Sequence, residues 1–213
     1  MVSVQQGVNF NILMNRLVFA THNSHKLEEI RAIAGEEFEI QGLSDINIAE
    51  DIPEDFDSLE KNASQKAWFI HKITGKDCFA DDTGLETDAL DGEPGVFSAR
   101  YSRIGSPVYN ELPVDEANIK KLLTKLENKK NRRARFRTVV ALIKEGEEYI
   151  FEGIAEGEIL NKPSGKYGFG YDPVFKPSGY SKSFAEMNFS EKNQISHRTL
   201  AIRKMIDFLK KKL

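Results

Sequence analysis

Two adjacent carboxylates, Asp81 and Asp82, close a short apolar run, Cys78-Phe79-Ala80, and are followed by a hydroxyl and a glycine, Thr83-Gly84. A buried strand that ends in Asp-Asp puts acidic groups at its carboxyl end, where open α/β sheets bind ligands. Side chains alternate along a strand, so one aspartate is expected to face a site while the other caps the following turn. Carboxylates about 4 to 6 Å apart repel unless a cation or hydrogen bonds compensate them. A hard divalent cation such as Mg2+ is the usual compensator. A plain Asp-Thr-Gly turn capped by Asp82 accounts for the same residues without any ligand.

Three other stretches carry candidate chemistry. The first, Thr21-His22-Asn23-Ser24-His25-Lys26, follows an apolar strand at residues 16–20 and precedes a helix with Leu27, Ile30, Ile33 and Ala34 on one face. Asn23 or Ser24 can cap that helix. Such a junction aims free backbone N–H groups and a positive dipole end outward, which suits a phosphate. Thr21, Asn23 and Lys26 add a hydroxyl, an amide and a cation, although a capped helix start with a solvated lysine reads the same way. The glycines of a Walker loop are missing. The second stretch, residues 166–179, flanks Phe169 with glycines. These allow close backbone approach, and the ring offers a flat face to a base; a glycine-rich turn around a packed Phe is the alternative. In the third stretch, Ser196 caps the last helix and His197 and Arg198 fall in its first turn. Cations disfavour that end of a helix, so the placement invites a functional reason. Arg198 is a planar donor fork and His197 a further donor, fit for the O6 and N7 acceptors of a 6-oxopurine. Adenine, with an amino group at position 6, leaves those donors unpaired; a surface His-Arg pair is the alternative.

The elements that position these groups read as an α/β alternation. A second strand is expected at residues 38–41. An acidic loop at residues 49–57 brings Glu54 just ahead of a helix over residues 58–73, within reach of a metal. Leu59, Ala63, Ala67 and Ile70 form that helix's apolar stripe and Gly75 stops it. Trp68 and Phe69 read as core; Lys66 reads as solvated, with a lysine pointing to phosphate as the alternative. A helix over residues 114–126 presents Ile119, Leu122, Leu123 and Leu126. The basic run at residues 129–137 reads as a charged loop entering an exposed strand. Residues 138–144 and 148–154 form a hairpin about Glu145-Gly146. A short strand is expected at residues 157–160, and the Asp172-Pro173 turn leads into another at residues 174–175.

Composition bounds the alternatives. The 213 residues suffice for one α/β domain, with residues 1–15 as a loose extension and residues 16–213 as the domain. A net charge of −3 with 30% charged residues argues against a nucleic-acid binder. The one cysteine, Cys78, excludes an internal disulfide and suits a reducing cytoplasm. No apolar run approaches the roughly 20 residues that span a bilayer, and no secretory signal is evident. The four histidines lack zinc spacing, and no Ser-His-Asp or Cys-His set is visible.

Five motifs in this order resemble the inosine triphosphate pyrophosphatase family, the non-canonical purine nucleoside triphosphate pyrophosphatases. They are THNSHK at 21–26, FADDTGL at 79–85, GEPGVFSARYS at 92–102, FGYDPVF at 169–175 and EKNQISHR at 191–198. The resemblance implies an elongated α/β fold, two lobes around a long mixed sheet with the site in the cleft between them, usually dimeric. It implies Mg2+-dependent hydrolysis of ITP, dITP and XTP between the α and β phosphates. Asp82 would be general base and metal ligand, and Glu54 a second ligand. Thr21, His22, Asn23, Ser24, His25 and Lys26 would hold the triphosphate, and Thr83 would touch substrate. Phe169 would stack on the base, Gly170, Tyr171 and Asp172 would line its pocket, Lys192 would contact substrate, and His197 with Arg198 would read the 6-oxo group. The chain departs from the family at residues 54–63, where Phe56 replaces a glycine and Lys61 an acidic residue, which puts the loop shape in question. Two other readings compete: a Maf-like pyrophosphatase for other modified nucleotides, and a non-catalytic nucleotide-binding protein.

Overall fold

The structure, a computed structural model, describes residues 15–105 and 111–212, so the expected extension at residues 1–15 lies almost wholly outside the described residues. One seven-stranded mixed sheet runs in the order β2 (Phe38–Gly42), β1 (Asn15–Phe19), β3 (Cys78–Thr87), β5 (Arg133–Lys144), β6 (Glu147–Ile159) and β7 (Phe175–Pro177). A short strand, β4 (Pro94–Gly95), pairs with β3 off this path. β1 is parallel to β2 and β3, and the remaining pairs are antiparallel. The helices are α1 (Ser24–Ala34), α2 (Leu59–Thr74), α3 (Val114–Lys125), α4 (Phe189–Ile195) and α5 (His197–Lys212).

Two lobes share the long strands β3, β5 and β6. In the first, α1 and α5 cover one sheet face over Phe19, Phe79, Val140 and Leu142. The other face packs on α2 through Ala63, Ala67 and Ile70, against Cys78, Ala80, Val139 and Ala141. The second lobe gathers α3 and the far ends of β5 and β6 around Phe136, Phe175 and Phe184. Alternation along β3 therefore sends Asp81 to the α1–α5 side, with Phe79, and Asp82 to the α2 side, with Ala80.

The helix ends follow the expected local chemistry. The Asn23 side chain accepts from the Lys26 N–H at the start of α1. Ser58 caps α2, which ends at Gly75 with φ 65°. The Ser196 hydroxyl accepts from the Thr199 N–H at the start of α5. Trp68 and Phe69 pack on the α2-side core as expected.

Two expectations change, one holds and one helix is new. β3 does not stop at Asp82 but continues to Thr87, because β5 supplies ladder partners beyond it: Asp82 faces Val139 and Thr83 faces Thr138. The aspartates thus lie inside a strand, with no turn to cap. The basic run is, as expected, a charged loop entering a strand, β5 at Arg133, where Arg133, Arg135 and Arg137 pair with Asp88, Glu86, Glu60 and Glu152. The two strands expected at residues 148–154 and 157–160 are one strand, β6, continuous opposite β5. α4 was not anticipated, although its capping box, Asn188 with Glu191, is a readable N-x-x-E signature.

Gly153 in β6 lets α5 settle directly on the sheet. A Cβ there would overlap the His197 carbonyl oxygen and stand 2.5 Å from the Ala201 nitrogen, both backbone atoms that cannot rotate away. Gly153→Ala is therefore expected to destabilise the protein by about 1–3 kcal/mol, the usual cost of overpacking. A urea titration with a lowered midpoint and an unchanged slope would show it.

Candidate active site

A cleft of about 440 Å³ opens where the lobes meet. The start of α1 contributes Thr21, His22, Asn23 and Lys26; the acidic loop contributes Asp51, Ile52 and Glu54; α2 contributes Lys66. Asp82 and Thr83 form its floor, and Phe169, Gly170, Tyr171, Asp172, Lys192, His197 and Arg198 close the other end. Of the residues expected from sequence, only Ser24 and His25 are outside the lining. His25 instead stacks on Phe169, with ring centroids 5.8 Å apart and planes 18° apart.

The two aspartates hold different partners because they face opposite sides of β3. Asp81 accepts from Lys26 Nζ at 2.9 Å and from Arg198 Nε at 3.2 Å. Burial alone would raise its carboxyl, but Lys26, Arg198 and Lys66 hold it far below the usual carboxylate range. Asp82 accepts from Asn62 Nδ2 at 3.2 Å and lies 3.7 Å from Lys66 Nζ. Its carboxyl is raised, first by burial and further by Glu54, with Lys66 and Lys26 opposing. One aspartate is thus a fixed anion and the other a poised one.

Lys66 is not solvated. It is 5% exposed, and its ammonium meets Glu54 at 2.5 Å. Burial would lower its pKa, but Asp82, Asp81 and Glu54 raise it. Its place was readable: positions 59, 62, 63, 66, 67 and 70 form the buried stripe of α2. A lysine and an asparagine within such a stripe need partners.

At the other end, Asp172 Oδ2 accepts from Lys192 Nζ at 2.7 Å and from the Phe169 N–H at 3.0 Å. Gly168, at φ +75°, leaves the room that carboxylate occupies. Burial raises the Asp172 carboxyl against the pull of Lys192. Gly170 N–H donates to Asp115 at 2.8 Å, and the Tyr171 hydroxyl donates to the Ser98 carbonyl at 3.0 Å. Neither Asp115 nor Ser98 was expected at the site. Sequence reading also missed Glu29, buried on α1, which pairs with Lys192 at 3.1 Å and with Arg198 Nη1. Its signal was a carboxylate beside Ile30 on the apolar side of that helix.

These pairs explain why His197 and Arg198 are tolerated in a first helical turn. Arg198 is neutralised by Asp81 and Glu29, so two of its nitrogens are occupied. His197 carries no charge: burial, then Arg198 and Lys192, push its pKa well below 6.5. Its ring lies against Phe136, with centroids 4.5 Å apart, and its buried Nδ1 has no hydrogen-bond partner.

Whether Glu54 and Asp82 suit a magnesium ion follows from their donors. Both are carboxylates, and both lean on the one ammonium of Lys66, so they converge on a position a cation fills. Among the described residues no group of three or more His, Cys, Asp or Glu converges on such a point. Mg2+ takes one or two carboxylates and completes its octahedron with water and substrate phosphate, so the donor set fits.

The Ham1 family model matches residues 17–208. A dITP/XTP pyrophosphatase of Porphyromonas gingivalis strain W83 is 52% identical over 92% of this chain and 98% of its own. One from Christiangramia forsetii is 49% identical over 92% of this chain and all of its own. The solved Ham1 protein of Staphylococcus aureus superposes with a TM-score of 0.81 at 38% identity, over 93% of this chain and all of that one.

Asp81→Asn keeps the shape but takes from Lys26 its carboxylate and leaves Arg198 with Glu29 alone, and is expected to cost about 3–5 kcal/mol in a denaturant titration. His197 gives a pH signature. The unfolded chain protonates it near 6.5 whereas the folded protein does not, so the unfolded state binds more protons below that pH. Its contribution to stability is present above pH 6.5 and lost as pH falls; His197→Phe is expected to flatten that slope in melts run from pH 7.5 to 5.

Proposed function

The chain belongs to the Ham1 family, and we propose that it is a pyrophosphatase of non-canonical purine nucleoside triphosphates. It would split ITP, dITP and XTP between the α and β phosphates, leaving a nucleoside monophosphate and pyrophosphate. The observation that carries this reading is Asp81, which binds Lys26 at the phosphate end and Arg198 at the base end. A single strand position so fixes the distance between the groups that would hold the two ends of a nucleotide.

The N-terminus of α1, with Thr21, Asn23 and Lys26, receives the phosphates, together with His22 before the helix and Ser24 and His25 in its first turn. Thr83, whose hydroxyl is held at 2.7 Å from the Thr138 hydroxyl and 3.2 Å from Asp81, lines the cleft and would touch substrate. Phe169 provides the flat face for the base, in a pocket shaped by Gly170, Tyr171 and Asp172, while Lys192 reaches substrate beside it. His197 and Arg198 sit where a 6-oxo group is read. Asp82, raised by burial, takes the proton of the attacking water. Lys26 and Lys66 receive the charge that develops on the departing pyrophosphate. Glu54 and Asp82 would hold Mg2+, which when bound neutralises phosphate charge and draws the phosphate oxygens into line.

A homodimer working in the cytoplasm belongs to the same reading. The buried Cys78 thiol, pushed up to about 12 chiefly by burial, suits a reducing compartment but would be inert in any. Among the described residues no helix is long and apolar enough to cross a membrane.

Pyrophosphate release with Mg2+ from ITP, XTP, dITP, GTP, ATP and dTTP tests the reading: release from the first three with little from ATP is expected. Asp82→Asn is expected to lower kcat by about 100-fold or more, and near-parental turnover would remove it as the base. Arg198→Lys keeps a charge for Asp81 and Glu29 but loses the fork. It is expected to erode the preference for ITP over ATP, read as the ratio of kcat/KM values.

A further inference from the structure

We propose that Asn62 is a positioning residue for this hydrolysis: its one carboxamide sets both the Asp82 carboxylate and the loop that carries Glu54. The proposal rests on the pyrophosphatase reading and adds a residue that reading does not use. Asn62 lies on α2 and is 1% exposed. Its Oδ1 accepts from the Phe56 N–H at 2.9 Å, and its Nδ2 donates to the Phe56 carbonyl at 3.2 Å. The same Nδ2 donates to Asp82 Oδ2, also at 3.2 Å. Pairing with both backbone groups of Phe56 fixes which way the amide points, since the flipped amide would set donor against donor and acceptor against acceptor. The N–H that reaches Asp82 is therefore held from the far side by the loop.

The loop and the aspartate are thereby one unit. Glu54 lies two residues before Phe56, and Lys66, one helical turn after Asn62, meets both Glu54 and Asp82. Asn62 differs from Lys66 in carrying no charge. The arrival of phosphate or a cation gives it no reason to leave, so it keeps the Glu54–Asp82 spacing while Lys66 is free to turn to substrate. It is outside the cleft lining, and so acts through Asp82 and Phe56 rather than on substrate.

The same contact is indifferent to the side chain at position 56. Asn62 uses only the backbone of residue 56; the side chain is 44% exposed, and Lys61 Nζ lies over its ring, 5.9 Å from the centroid. The two departures at Phe56 and Lys61 meet each other on the outside of the loop and leave the inner contact intact.

The test compares Asn62→Ala and Asn62→Asp with the parent. The aspartate keeps the acceptor for the Phe56 N–H and the shape of the side chain, but it sets an oxygen against both the Phe56 carbonyl and Asp82, so it removes the donor without emptying the site. Three quantities are read: kcat for ITP, Kd for a non-hydrolysable α,β-methylene analogue of ITP, and the thermal midpoint. Both variants are expected to lose about 30- to 100-fold in kcat, the scale of a 1 Å misplacement, with Kd within about threefold and Asn62→Asp folded. Two results overturn the proposal alone: turnover within about threefold of an active parent, or losses in kcat and binding that both track the folded fraction. A parent that releases no pyrophosphate from any purine triphosphate overturns the pyrophosphatase reading and this proposal together.

Discussion

The site depends on a buried chain of six charges that alternate in sign. Lys26 meets Asp81, Asp81 meets Arg198, Arg198 meets Glu29, Glu29 meets Lys192, and Lys192 meets Asp172. Removing such groups from water costs several kcal/mol per ion, and only close pairing with further hydrogen bonds offsets it. The chain is therefore weak as a source of stability and strong as a constraint. Each member has one position in which its charge is matched, and a lapse at any link leaves its neighbour exposed to the full desolvation cost. The members come from α1, β3, α4, α5 and the loop before β7, so the electrostatics tie together the elements that form the cleft.

The second constraint is the parity of β3. Adjacent aspartates on a strand cannot share a partner set. Asp81 turns to the α1–α5 face, where Lys26 and Arg198 keep it ionised, and Asp82 turns to α2, where burial raises it. Extension of β3 through these residues makes the division rigid, because the β5 ladder holds each backbone position from Cys78 to Thr87. A turn after Asp82 would have let the two carboxylates mix roles. The structure separates a carboxylate held ionised by ion pairs from one raised by burial, with a single peptide bond between them.

The base end is built differently, from backbone rather than charge. Phe169 sits in a loop held by Asp172, Asp115 and Ser98 through its own N–H groups and the Tyr171 hydroxyl. Stacking of His25 on Phe169 brings the α1 loop to the same ring. Neutral His197, stacked on Phe136, adds an aromatic wall without an extra charge beside Arg198 and Lys192. The charged groups fix where a nucleotide's ends would lie, and this loop shapes the surface offered to its base.

The sequence by itself determined most of the local elements and the motif residues that line the cleft. Ser58 and Gly75 bound α2 because a cap and a left-handed glycine are properties of a few neighbouring residues. Asn23 begins α1 for the same reason, and the motif positions already named Lys26, Asp82, Phe169 and Arg198. Only the tertiary structure decided what those residues hold. That β3 runs on to Thr87 depends on β5, some 50 residues away, and no pattern within residues 78–87 states it. That Lys66 is an ion-pair partner, Glu29 a bridge and Asn62 a clamp depends on which chain segments face their helices. Their stripe positions showed that they are buried, but a buried polar side chain names its need for a partner and not the partner. Pairing across the lobes is long-range, and it is settled by packing and desolvation together once the sheet has closed.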